Sequence, residues 1–170
     1  MERRSYNREK WKNPQKEGPW GSQQEGTAWS YTPTGPIIEI DIWYDYIFNS
    51  ITFKSINEGT VETSGKFGGG GGKRQDIISL EWPDEYLTAI TGTLHCVSGM
   101  YVVESISFLT NLNKFGPFGP TSGTPFNFST RGKIIVGFFG RCDMFINAIG
   151  VYIKNTAELF EDDNRRSDYE

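Results

Sequence analysis

Three six-residue stretches of this chain follow one pattern. Phe48-Asn49-Ser50-Ile51-Thr52-Phe53 lines up with Val103-Glu104-Ser105-Ile106-Ser107-Phe108, and both line up with Ile146-Asn147-Ala148-Ile149-Gly150-Val151. Each runs apolar, polar, small, isoleucine, small, bulky apolar. Two glycine turns repeat as well: Gly18-Pro19-Trp20-Gly21 matches Gly116-Pro117-Phe118-Gly119. Self-similarity of this kind marks one supersecondary unit used several times. The repeat predicts three similar β units, hence three sheets packed about a pseudo-threefold axis.

The stretches around the repeats support strands. IIEIDIW from Ile37, DIISLEW from Asp76, YLTAITG from Tyr86 and KIIVGFF from Lys133 place apolar residues at or near alternate positions. That period puts one set of side chains inward and the other toward water. GPWGSQQEG, FGGGGGKR and FGPFGPTSGTP punctuate them, and no helical stripe competes. With 15% aromatic residues and 20 glycines in 170 residues, the composition favours strands and turns in a single all-β domain large enough for a core. Residues 1–17 and the acidic stretch 158–170 are too polar to offset the cost of ordering, so they read as disordered tails flanking a domain over 18–157.

Several function classes are disfavoured. The net charge of −4 argues against binding nucleic acid by phosphate neutralisation. No apolar run reaches the roughly 18 residues of a membrane span, and no apolar segment follows the basic start. The expectation is a cytoplasmic protein without a signal peptide or membrane insertion. Cys96 and Cys142 have no metal-ligand spacing and are too few for a disulfide framework. His95, the single histidine, lies in a strand-like stretch with no nucleophile motif nearby. Gly68 to Gly72, beside Lys73 and Arg74, lacks a Walker pattern and reads as a loop. No metal, cofactor or enzymatic chemistry is expected.

The order of these features resembles the jacalin-related lectins. The likeness runs from about Gly18 to Lys154 and rests on several stretches. They are Gly18-Pro19-Trp20-Gly21, the glycine loop Phe67–Gly72, Trp82-Pro83-Asp84-Glu85-Tyr86-Leu87-Thr88, the FGPFG at 115–119, and Gly137-Phe138-Phe139-Gly140-Arg141 with Ala148-Ile149-Gly150-Val151-Tyr152. The resemblance implies a β-prism of three four-stranded Greek-key sheets and reversible sugar binding. The residues ahead of GPWG resemble the single-chain mannose/glucose-type branch. Its implied partners are mannose- or glucose-containing glycans, and the implied assembly is a homodimer or homotetramer.

In that family the sugar site pairs an N-terminal loop glycine with a G-x-x-x-D hairpin loop near the C-terminus. Here the glycine falls on Gly26, and the hairpin window on Asp143, Met144, Phe145, Ile146 and Asn147. Both defining positions depart from the pattern, since Asp143 stands at the glycine and Asn147 at the aspartate. The implied contacts are backbone from Gly26, Met144 and Phe145, with Asn147 as side-chain acceptor. An ionised carboxylate holds two sugar hydroxyls better than an amide does, so the exchange is expected to cost roughly 1 kcal/mol, about tenfold in affinity. The left-handed backbone that a glycine position can require is a further expected difficulty at Asp143. DYIFN at 45–49, with the 67–72 loop, resembles the second site of some mannose-binding members and shares the departure. The rival reading is a prism that has lost its sugar and serves as a protein-interaction scaffold in stress or defence signalling.

Overall fold

The computed structural model describes residues 8–160. After a 3-10 turn at Arg8–Trp11 come thirteen strands. They are β1 (Gln15–Gly21), β2 (Thr27–Tyr31), β3 (Ile37–Tyr44), β4 (Phe48–Asn57), β5 (Thr60–Thr63), β6 (Phe67–Gly68), β7 (Arg74–Ser79), β8 (Leu87–Val97), β9 (Met100–Thr110), β10 (Lys114–Phe118), β11 (Thr124–Ser129), β12 (Lys133–Cys142) and β13 (Ile146–Asn155). All pairings are antiparallel.

The strands form three sheets, ordered β1-β13-β12-β2, β5-β4-β3-β7 and β10-β9-β8-β11. Strands β5 and β6 lie end to end on the same edge of β4, at Lys54–Asn57 and Ser50–Ile51, so this sheet too is four strands wide. Each sheet is a Greek key built on a long central hairpin. In the first sheet the chain ends fall between the second and third strands of the key, which is why its outer strands come from the N-terminus. That permutation explains the likeness of the two glycine turns: Gly18–Gly21 in β1 and Gly116–Gly119 around β10 occupy the same place in their keys. Both interrupt the pairing, with register shifts between Glu17 and Trp20 and between Phe115 and Phe118. The gap between β5 and β6 is the corresponding interruption in the third key.

The repeated hexapeptides lie in β4, β9 and β13, the second strand of each key. Their isoleucines Ile51, Ile106 and Ile149 are fully buried, as are Phe53, Phe108 and Val151. Phe138 fills the space beside the smaller Val151, with ring centroids 5.0 Å from Phe53 and 6.0 Å from Phe108. Burying one such ring contributes about 1.5–3 kcal/mol, and rings from all three sheets meet here.

The expected tail boundaries move outward on both sides. Within the tail expected over residues 1–17, Trp11 is buried and β1 begins at Gln15. Residues 156–160 form a helical turn whose Leu159 is buried. Trp11 meets Trp82 edge-on at 5.3 Å, and Phe160 stacks on Trp82 at 5.1 Å, over Ile134 and Val136 of β12. Lys154 Nζ ties the two extensions together by donating to the Lys12 carbonyl (2.5 Å) and pairing with Glu158 (2.9 Å). Scattered aromatics, invisible to a polarity average, supply the missing apolar area. Residues 1–7 and 161–170 lie outside the described residues.

Candidate functional site

The three central hairpins turn at the same end of the prism, at residues 143–145, 45–47 and 98–99. In the first, the Asp143 N–H donates to the Phe145 carbonyl at 2.9 Å, closing a tight turn. Asp143 adopts this turn without a left-handed backbone, so the strain expected at that former glycine position is absent. Its side chain is exposed, Met144 is 67% exposed and Phe145 is half-buried. Asn147, the second residue of β13, is buried at 3% exposure.

The loop over residues 22–26 packs directly onto this hairpin. The Ser22 N–H donates to the Asn147 carbonyl at 3.0 Å, and Ser22 Oγ accepts from the Glu25 N–H at 3.0 Å and the Gln24 N–H at 3.4 Å. Gly26, at φ +78°, lies so close that a methyl group on it would sit 2.6 Å from Asn147 Oδ1 and 2.7 Å from the Cys142 carbonyl. Only glycine fits that backbone and that gap. Gly26 and Asn147 are therefore brought together, while Asp143 and Met144 form the open rim.

Asn147 Oδ1 is buried and accepts no hydrogen bond. Such an orphan acceptor costs about 1–3 kcal/mol and is uncommon in folded chains. The matching residue of the 45–47 hairpin behaves alike. Asn49 Oδ1 is also buried and unpartnered, while the Asn49 carbonyl accepts from the Gly69 N–H at 3.2 Å and Asp45 Oδ2 from the Lys73 N–H at 2.8 Å. The glycine loop 68–72 lies between these two corners. Gly69 abuts the Met144 carbonyl so closely that no side chain fits there, and the Gly68 N–H donates to Cys142. Burial pushes the Cys142 thiol up, the Gly68 bond partly opposes this, and the Asp143 carboxylate adds to the rise. It is a protonated packing group at neutral pH. The third corner differs: Glu104 stands in the slot, and its carboxylate is already bonded.

Reading the residues alone missed Arg141. Its guanidinium holds the carbonyls of Gln24, Glu25 and Gly26, at 3.2, 2.9 and 2.7 Å. Nothing in the local sequence links Arg141 to a loop more than a hundred residues away; only the pairing of β12 with β2 does.

The jacalin-like lectin domain matches residues 17–152, spanning all three keys and both halves of this corner. The chain belongs to that family. An agglutinin of Castanea crenata is 45% identical over 141 residues, covering 81% of this chain and 45% of the agglutinin. A mannose/glucose-specific lectin of Parkia platycephala is 36% identical over 143 residues, covering 81% of this chain and 31% of that lectin. The chain thus spans less than half the length of these two relatives. The solved structure of Calsepa lectin in complex with a biantennary N-glycan superposes with a TM-score of 0.76 at 36% identity, covering 85% of this chain and 98% of that one. The fold is accordingly the β-prism that the resemblance implies.

Proposed function

We propose that this chain is a lectin of the mannose/glucose type, which binds glycans reversibly between the Gly26 loop and the 143–147 hairpin. The observation that carries the reading is the buried, unpartnered Oδ1 of Asn147 directly beneath Gly26. A hexose hydroxyl offers a donor to such an oxygen and an acceptor to backbone N–H groups at the same place. The Parkia relative, mannose/glucose-specific by its name, and the glycan-bound Calsepa structure support the same class of ligand. Gly26, Met144 and Phe145 would make backbone contacts and Asn147 the side-chain contact, with Asp143 at the rim. The orphan oxygen of Asn49 supports a second, similar site between the 45–47 hairpin and the 68–72 loop. Assembly into a homodimer or homotetramer would raise avidity for branched glycans.

Calorimetric titration with methyl α-mannoside, glucose and galactose tests this. The expected result is weak binding of the first two, lost from one corner on Asn147→Ala. Replacing Asn147→Asp together with Asp143→Gly should strengthen mannoside binding about tenfold, because a charged acceptor holds hydroxyls more strongly. No heat with any of the sugars at millimolar concentration would replace the lectin reading by the scaffold one.

A further inference from the structure

We infer that Arg141 is the positioning residue that fixes the Gly26 backbone over Asn147. Its geometry stands on its own; its consequence for affinity rests on the glycan-binding reading above. Arg141 lies on β12, opposite Ala28 of β2 and Ala148 of β13, so it leaves its strand beside the turn that enters β2. Nε donates to the Glu25 carbonyl at 2.9 Å, and Nη2 donates to those of Gln24 (3.2 Å) and Gly26 (2.7 Å). One planar fork thus holds the carbonyls of 24, 25 and 26.

The orientation matters for a ligand. In a trans peptide the carbonyl and the following N–H point in opposite directions. With the Glu25 carbonyl on the guanidinium, the Gly26 N–H is directed away from Arg141. The loop needs such a clamp because Gly26, at φ +78°, is its most permissive joint. From the other end Ser22 grips the Asn147 carbonyl and the N–H groups of residues 24 and 25. The two grips hold the loop from both ends. Lysine, a point charge without the fork, cannot reach the same carbonyls in that geometry.

The test compares the wild type with Arg141→Met and Arg141→Lys, using backbone 15N relaxation of residues 22–26 and titration with methyl α-mannoside. Arg141 is only partly buried, so both variants should keep the wild-type amide spectrum in the three sheets. In the methionine variant the loop order parameters should fall from about 0.85 to below about 0.6, and mannoside affinity about tenfold. Lysine should restore part of each. Order parameters that stay at the rigid value in the methionine variant would overturn the clamp. A loosened loop with unchanged affinity would overturn its positioning role. A wild type that binds no mannoside would defeat the glycan reading, and the relaxation data alone would then decide the clamp.

Discussion

Asn147 and Glu104 occupy one slot of the repeat at two corners of the prism, in backbones that are nearly copies. Gly21 presses on the carbonyl of Asn147, and Gly119 presses on that of Glu104. A loop glycine sits over each side chain: Gly26 at one corner, Gly123 at the other. Glutamate is one methylene longer and reaches the loop. Its Oε1 accepts from the Gly123 N–H at 2.8 Å and the Thr93 hydroxyl at 2.9 Å, and its Oε2 from Ser122 at 3.1 Å. The asparagine oxygen reaches no donor at all. Burial alone would push the Glu104 carboxyl up, but the bonds from Gly123, Thr93 and Ser122, helped by His95, hold it below the ordinary carboxylate value. The reach of a single side chain thus decides whether the buried oxygen in this slot is satisfied by the chain itself.

The contrast can be broken or sharpened by substitution. The largest effect is expected from Glu104→Ala, which removes the acceptor of the Gly123 N–H and of the Thr93 and Ser122 hydroxyls, leaving Thr93 only the Ser105 hydroxyl and the Pro120 carbonyl. Urea unfolding should show a loss of about 3 kcal/mol, with mannoside binding at the Asn147 corner intact; an unchanged stability would erase the distinction between the corners. Gly26→Ala comes next. Its methyl group would meet Asn147 Oδ1 and the Cys142 carbonyl on a left-handed backbone, so about 1–2 kcal/mol of stability should be lost and mannoside affinity should drop at least about tenfold.

The smallest effect is a pH dependence. Because the Glu104 value is lowered in the native state, its contribution is full above the unfolded value of about 4.3 and is lost as pH falls through the native one. The stability gap between wild type and Glu104→Gln, measured by urea unfolding, should therefore narrow between about pH 6 and pH 3. A gap that stayed constant would show that the carboxylate charge plays no part in closing that corner.

The threefold architecture was legible because the hexapeptides carry it locally: strand alternation and a common isoleucine need no knowledge of distant residues. The slot was legible too, since Asn49, Glu104 and Asn147 align within the repeat. Its state was not, because whether an oxygen finds a donor depends on loops brought in from other strands. Glu104 meets Ser122 and Gly123 only after β11 pairs with β8, and Arg141 meets residues 24–26 only after β2 pairs with β12. Trp11 and Leu159 failed for a related reason. Each is an apolar residue in a polar run, and its burial depends on Trp82 and Ile134 lying nearby in the fold.

The open key of the first sheet has a mechanical consequence. β13 runs from the hairpin turn at Ile146 to Asn155, and β1 starts at Gln15 beside Ile153. Both extensions therefore depart side by side from the base of the prism, opposite the 143–145 turn. Further modules could be strung onto either one, as beads on a thread, with every turn-bearing tip still facing outward.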